Sequence, residues 1–245
     1  MVEPAKVAAR ISEHQTGEPL PHESAKLHVT GEALYTDDIG TPAGSLHAYV
    51  GLSQATHARI KNLNLDAVRN APGVVCVLTA SDIPGSPDIG PVYAGDPLIA
   101  SDTVEFRGQI LFAVAAVSNK AARRAARLAE IEYEMLPAVL DSQTGHELES
   151  YVRPMHCQRR GDAKAAIAEA PMKLEGAFQS GGQEQMYLEG QVSLAIPDED
   201  GKMLVYSSTQ HPSEGQKLVA EVLNIPLSHV TVQVRRMGGA FGGKE

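Results

Sequence analysis

The residues best suited to chemistry form a glycine-rich stretch, residues 237–245, that ends on a lysine and a glutamate. Its sequence is Met-Gly-Gly-Ala-Phe-Gly-Gly-Lys-Glu, with one glycine pair on each side of Ala240 and Phe241. Glycine permits positive φ angles and a close approach of the backbone to a ligand. Successive N–H groups in such a segment can converge on an anion. We call residues 237–245 the glycine loop, and its chemistry is that of main-chain donors beside the carboxylate of Glu245.

Part of the glycine loop also fits a phosphate-binding motif. Residues 238–244 match G-x-x-x-x-G-K, the first seven positions of a nucleotide-binding P-loop. The eighth position of that motif is Ser or Thr, whose hydroxyl holds Mg²⁺, but here it is Glu245, whose charge repels phosphate. A P-loop nucleotide binder is therefore only the third hypothesis for the chain, and a plain glycine-rich turn is a further alternative.

Two other stretches complete a pattern with the glycine loop. Residues 181–189, which we call the upstream motif, have the sequence Gly-Gly-Gln-Glu-Gln-Met-Tyr-Leu-Glu. Residues 27–39 have the sequence Leu-His-Val-Thr-Gly-Glu-Ala-Leu-Tyr-Thr-Asp-Asp-Ile. In this order the three stretches resemble motifs in the molybdopterin-binding part of xanthine dehydrogenases, the purine branch of the molybdenum hydroxylases. The resemblance covers the chain from roughly residue 20 to residue 245.

The sequence departs from the family pattern at a few positions. Ala240 stands where the purine branch usually has Gly, and Gln185 and Met186 replace a usual His and Phe. The resemblance implies an α+β fold, with an N-terminal α/β hammerhead domain followed by the start of a mixed α/β molybdopterin-binding domain. The expected divisions are an extended arm at residues 1–24, the hammerhead at 25–138, a linker at 139–160 and the molybdopterin-binding part at 161–245.

The resemblance also assigns roles to individual residues. Gln183 and Gly242 are implied to bind the molybdenum–molybdopterin cofactor together with Phe241. The resemblance implies that Gln183 approaches an oxo ligand of the metal and that Phe241 lies against the molybdenum centre, both without coordinating it. From its position alone Gln183 is an ordinary loop amide, and the ring of Phe241 is a candidate anchor in the core. Glu189 is interpreted as a structural charge for which the sequence names no partner.

Glu245 is the position that bears on substrate. A lone glutamate is usually a solvated side chain. In purine-oxidising members the matching glutamate binds the heterocycle, whereas aldehyde-oxidising relatives usually have an apolar residue there. A carboxylate accepts a hydrogen bond from a ring N–H, or donates one to a ring nitrogen when it is protonated. Glu245 thus favours hypoxanthine or xanthine over an aldehyde as the substrate.

The function implied by the resemblance is oxidation of a purine with water as the oxygen source. The family's catalytic base lies beyond the position that matches Glu245, so no catalytic residue is expected in this chain, and the polypeptide alone is expected to be inactive. The remaining part of the molybdopterin subunit and an iron–sulfur/FAD subunit are the implied partners. The alternative is a non-catalytic remnant or interaction module of the same fold.

Composition limits the other function classes. The chain has 245 residues, a net charge of −9 and no basic tract, which disfavours nucleic-acid binding. Its longest apolar run, residues 110–117, is too short to span a membrane, and the start of the chain has no secretory pattern. Two cysteines are too few for an iron–sulfur cluster, and no zinc-ligand spacing occurs among the nine histidines. We expect a cytoplasmic protein.

Periodicity predicts the elements that position these residues. In the first half, residues 119–130 are rich in helix formers, and the strand–helix–strand order around them predicts a mixed sheet with helices on one face. Residues 81–102 are expected to form a long loop punctuated by Pro and Gly. In the second half, a helix is predicted from Pro212 to the stop at Asn224. The strands predicted from alternation and apolar runs are 46–52, 58–65, 74–78, 110–117, 131–135, 172–179, 191–196, 202–207 and 230–235.

Overall fold

The computed structural model describes Gly17 and residues 19–245, so that most of the predicted arm at 1–24 lies outside the described residues. The strands are β1 (His47–Leu52), β2 (Ala58–Asn64), β3 (Val74–Leu78), β4 (Thr103–Val104), β5 (Ile110–Ala116), β6 (Glu130–Met135), β7 (Ser193–Pro197), β8 (Met203–Ser207) and β9 (Val230–Gln233). The helices are α1 (Ala25–Thr30), α2 (Asp66–Arg69), α3 (Asn119–Ala126), α4 (Ser142–Glu147), α5 (Ala163–Glu169) and α6 (Pro212–Leu223). No helix in this part of the chain is both long and apolar enough to cross a membrane.

The first half of the chain forms two antiparallel sheets, with strand orders β1-β5-β3 and β4-β2-β6. The prediction of one mixed sheet here is wrong. The reason lies in β5, whose two edges are already paired with β1 and β3, so that β6 finds no free edge beside it. After α3 the chain instead pairs β6 with β2 in the other sheet.

The core of this half packs where α3 meets β1 and β5. Ala122 and Ala125 are buried on the narrow face of α3, and Phe112 of β5 is 1% exposed. The small alanine side chains let the helix lie close to the sheet. Gly51 of β1 faces the ring of Phe112 so closely that a Cβ there would overlap it.

The second half contains one mixed sheet of order β7-β8-β9. β7 and β8 correspond to the predicted strands 191–196 and 202–207, and they pair in antiparallel fashion across the turn at Glu199–Gly201. β8 and β9 are parallel, joined by α6 as a crossover helix. Pro212 begins α6 and Asn224 ends it in a left-handed conformation, as the sequence predicts. Together the two halves give the predicted α+β organisation.

Residues 139–160 contain a helix that the sequence analysis does not predict, and residues 172–179 lack the strand that it does predict. The predicted linker at 139–160 contains α4, which begins where the Asp141 carboxylate accepts the Thr144 N–H at 2.8 Å. That backbone bond is the main reason why the pKa of Asp141 lies below its ordinary value. The predicted strand at 172–179 is wrong, because the segment pairs with no strand among the described residues and has no regular secondary structure. A β-pattern without a partner strand makes no ladder.

Hydrogen bonds hold the long loop at 81–102 in its middle and near its start. Asp88 folds its middle part, since its carboxylate accepts the N–H groups of Gly90 at 2.8 Å and Gly95 at 2.6 Å, which lowers its pKa. Near the start of the loop, the Gly85 N–H donates to the last turn of α6 at Val222 O, 3.0 Å away. The loop thereby joins the first half of the chain to the helix that supports the second sheet.

Phe112 tests the assigned core. Phe112→Ala should lower the free energy of unfolding by about 3–5 kcal/mol, because it removes a fully buried ring and leaves a cavity. Urea unfolding measures this loss. Phe106→Ala is the matched control, since that ring is 54% exposed and its removal should cost less than about 1 kcal/mol. Equal losses for the two variants would contradict the assignment of the core.

Candidate functional site

Three chain segments meet at one edge of the second sheet. Because β8 and β9 are parallel, residues 208–210 after β8 and the glycine loop after β9 emerge at the same edge. β7 runs the other way, with Ser193 opposite Ser207, so the end of the upstream motif, just before β7, arrives there too. This topology places the two motifs that the sequence singles out side by side.

Glu189 joins the upstream motif to both ends of the glycine loop. Its Oε2 accepts the Gly238 N–H at 2.8 Å and a hydrogen bond from Lys244 Nζ at 3.1 Å. Its own N–H donates to Gly238 O at 3.3 Å. The Lys244 side chain is 1% exposed and the Glu189 side chain 10% exposed, and the ammonium group also lies 4.7 Å from the centre of the Tyr187 ring. Glu189, the charge without a named partner in the sequence, is thus paired and buried.

Neighbouring side chains fix the carbonyl groups at the end of the loop. Gln191 Nε2 donates to Gly243 O at 2.8 Å. Lys244 O accepts from Thr209 Oγ1 at 2.8 Å and from the Gln210 N–H at 2.9 Å. The last turn of the glycine loop is therefore bonded to the segments before β7 and after β8.

The loop requires glycine at its crowded positions. A Cβ on Gly238 would lie 2.5 Å from Glu189 Cβ, and one on Gly243 would lie 2.6 Å from Tyr187 Cε1. Gly242 has a φ of +91°, which favours glycine for conformational reasons. Ala240 is not among the positive-φ residues and is 4% exposed, so the family's usual glycine is not needed for its backbone.

Between its anchors the loop has three main-chain N–H groups without a hydrogen-bond acceptor among the described residues. These groups belong to Gly239, Ala240 and Phe241. Phe241 has a φ of +53° and its side chain is 77% exposed. The interpretation of this ring as a core anchor is therefore wrong for the described fold. Main-chain N–H groups without a partner are donors that a ligand rich in oxygen acceptors, such as a pterin phosphate or a metal-oxo group, can satisfy.

Glu245 is exposed at the rim of an open pocket of about 450 Å³. Its Oε1 accepts from Gln210 Nε2 at 3.3 Å, and Gln210 Oε1 accepts the Gly242 N–H at 3.0 Å. One glutamine side chain thus links the substrate-binding candidate to the loop backbone. The pocket has hydroxyl groups and an apolar floor among its lining residues, which include Ser207, Thr209, Val205, Leu218, Val219 and Val232.

Gln183 is exposed and, among the described residues, its side chain bonds only its own neighbours, through Nε2 to Gly182 O at 3.3 Å and Gly181 O at 3.5 Å. Gln183 therefore lies in the upstream motif together with Glu189, but its side chain makes no hydrogen bond to the glycine loop. No group of three His, Cys, Asp or Glu side chains that could hold a metal ion occurs in the described part of the chain.

The P-loop interpretation is wrong. A P-loop lysine reaches into the phosphate site, whereas Lys244 is buried against Glu189 and the ring of Tyr187. Its charge is already paired with the carboxylate of Glu189.

Two family models match the chain, one in each half. Residues 30–137 match the a/b hammerhead domain of aldehyde oxidase and xanthine dehydrogenase, and residues 145–245 match the molybdopterin cofactor-binding domain. The chain belongs to the aldehyde oxidase and xanthine dehydrogenase family. This confirms the resemblance and the fold class inferred from the sequence.

Individual relatives agree with this family. Xanthine dehydrogenase/oxidase of Gallus gallus is 37% identical over 237 residues, which is 96% of this chain and 17% of the relative. Xanthine dehydrogenase of Oryza sativa subsp. japonica is 39% identical over 233 residues, 94% of this chain and 17% of the relative. The chain thus spans less than a fifth of the length of these relatives.

Solved structures share the fold. Aldehyde oxidoreductase from Desulfovibrio gigas superposes with a TM-score of 0.79 at 25% identity, covering 92% of this chain and 27% of that one. Quinoline 2-oxidoreductase from Pseudomonas putida 86 gives a TM-score of 0.77 at 26% identity, covering 93% of this chain and 31% of that one. The family fold therefore extends over nearly the whole chain.

Sequence reasoning missed the residues that hold the glycine loop in place. Gln191, Thr209 and Gln210 gave no signal, because their contacts reach across 32 to 52 residues of sequence. Tyr187 lies in the upstream motif, but its contact with Gly243, 56 residues away, was not predicted. For Thr209 and Gln210 one signal was available, because they directly follow β8, which is parallel to β9, the strand before the glycine loop.

Gly238 tests the packing of the two motifs. Gly238→Ala should destabilise the protein by about 1–3 kcal/mol, because the new methyl group overlaps Glu189 Cβ. Thermal unfolding measures the change. Gly182→Ala is the control within the upstream motif, since no atom lies within 4 Å of a Cβ at that position and its φ is not positive. A Gly238→Ala variant as stable as Gly182→Ala would refute the close contact.

Proposed function

We propose that this chain forms part of a molybdenum hydroxylase that oxidises purines, hypoxanthine or xanthine, with water as the oxygen source. Two relatives in this family are named xanthine dehydrogenase, which supports the purine branch. The observation that carries the proposal is the exposed carboxylate of Glu245 at the rim of the open pocket.

The chemistry of Glu245 suits a purine. Purines offer ring N–H donors at their edge, and a carboxylate accepts such bonds strongly. Gln210 Nε2 engages only Oε1, at 3.3 Å, which leaves acceptor capacity for a ligand. The apolar floor of the pocket suits the flat face of a heterocycle, and its hydroxyl groups suit the polar edge.

The cofactor assigned to this fold is molybdenum–molybdopterin, which supplies oxygen transfer and two-electron redox chemistry when bound. Phe241 and Gly242 would hold it through the backbone of the glycine loop, and the amide of Gln183 would donate or accept hydrogen bonds beside it. The residues of this chain would orient the ligands. They do not shield the site from water by themselves, because Phe241, Gly242 and Glu245 are exposed.

A further polypeptide part of the molybdopterin subunit is the proposed partner, with iron–sulfur and FAD groups carried elsewhere in the assembly. The support is an exposed apolar segment between α5 and β7. Its side chains at Met172, Leu174, Phe178 and Leu188 are 88–101% exposed. Large apolar side chains that are fully exposed along one segment are a feature of interaction sites. We accordingly expect the polypeptide alone to be inactive.

Metal content tests the assembly. The chain isolated from its native source with its co-purifying partners should contain about one molybdenum atom per chain, because the cofactor-binding half is present. Elemental analysis by mass spectrometry measures it. A folded chain that carries no molybdenum and no partner would contradict the proposal and favour the non-catalytic interaction module.

Glu245 tests the substrate class. In the assembled enzyme, Glu245→Leu should lower kcat/KM for xanthine by roughly 10- to 100-fold, the equivalent of about 1.5–3 kcal/mol for one hydrogen bond to a charged group. Turnover of an aromatic aldehyde should be retained or improved. Glu199→Leu, on the turn between β7 and β8, is the matched control and should change neither activity. An unaltered preference for xanthine in Glu245→Leu would refute the role of Glu245.

A further inference from the structure

We infer that the ion pair of Glu189 and Lys244 is a positioning device that sets the shape of the glycine loop, rather than a device for stability. One oxygen, Glu189 Oε2, accepts from Gly238 at the start of the loop and from Lys244 near its end. The residues between these two points are therefore fixed as a bulge of defined span. The structure assigns this role to a pair that belongs neither to the cofactor-facing nor to the substrate-facing residues.

The cost of burying the Glu189–Lys244 pair argues that its role is to position the loop and not to stabilise the fold. Both side chains are at least nine-tenths buried, and Glu189 Oε1 is buried without any partner among the described residues. Burying two charges in this way costs desolvation that the mutual attraction rarely exceeds, and apolar replacements of similar size are often equally stable. Breaking such a pair on one side, in contrast, leaves a buried charge and is strongly destabilising. The pair is therefore a weak source of stability and a strong geometric constraint.

The constraint extends to Glu245. Lys244 enters the interior with its side chain, while its carbonyl group is held by Thr209 and Gln210. The next residue is thereby directed to the pocket rim, where Gln210 Nε2 meets its carboxylate. Releasing Lys244 frees both the loop and the direction of Glu245. The effect on the purine rests on the proposed function, whereas the effect on the loop does not.

The decisive variant is the double substitution Glu189→Met with Lys244→Met, made in the assembled protein. Its melting temperature should stay within about 5 °C of the parent, because two buried charges are replaced by apolar side chains of similar length. Lys244→Met alone should lower it by roughly 5–15 °C. Amide hydrogen exchange over residues 237–245 should nevertheless be faster in the double variant, since the Gly238 N–H has lost its acceptor.

A second readout uses the reactivity of the lysine. In the parent protein Lys244 should resist acetylation, whereas Lys217, in an exposed pair with Glu221, should react readily. In Glu189→Gln, Lys244 should become reactive because its counter-ion is gone. Peptide mass spectrometry distinguishes the two lysines. The control for exchange is Glu134→Met with Lys61→Met, an exposed pair at 3.7 Å, which should leave the glycine loop unchanged.

The outcomes distinguish the two proposals. Parent-like exchange in the loop of the stable double variant, or an unreactive Lys244 in Glu189→Gln, would overturn the positioning role whatever the activity. Faster exchange together with a rise in KM for xanthine, and a roughly tenfold or larger fall in kcat/KM, supports both proposals. Faster exchange with unchanged xanthine kinetics supports the positioning role and refutes Glu245 as the purine contact.

Discussion

A single buried carboxylate oxygen, Glu189 Oε2, determines the geometry on which the candidate site depends. It accepts from Gly238 and Lys244, two residues that sequence places six positions apart, and brings the upstream motif against them. Without this acceptor, the glycines would allow many backbone conformations, since glycine is the least restricted residue. The loop therefore owes its order to contacts from outside itself, and its glycines supply the room for those contacts.

The sheet explains why these contacts are available. A parallel pair connected by a helix brings the ends of β8 and β9 to one edge, the place where α/β sheets commonly bind ligands. The antiparallel β7 adds its beginning to the same edge. The directions of the strands thus bring together three segments that are distant in sequence. Each segment contributes one kind of group: a carboxylate from before β7, amide and hydroxyl groups from after β8, and free main-chain donors from after β9.

Sequence patterns predicted the positions of the strands and helices better than they predicted which strands and side chains pair with each other. The sequence predicts the strands β8 and β9 on either side of α6, and the position of the glycine loop after β9. These predictions follow from alternation and turn residues, which are local properties. The mixed sheet predicted for the first half was wrong because strand order depends on which edges are free, and β5 has none left for β6. The strand predicted at 172–179 has the right alternation but no described neighbour to pair with. The ion pair at Glu189 was invisible because 55 residues separate its members.

The same motif, G-x-x-x-x-G-K, shows why a pattern must be interpreted through the direction of its side chains. In a P-loop the lysine and the backbone donors face one ligand. Here Lys244 faces inwards to Glu189, so its charge is neutralised, while Phe241, Gly242 and Glu245 face outwards. The loop consequently offers a cofactor hydrogen-bond donors without a net positive charge, and it places a carboxylate beside them. Such a surface suits a ligand that already carries its own metal and a substrate that brings N–H groups, and it would bind a free nucleotide poorly.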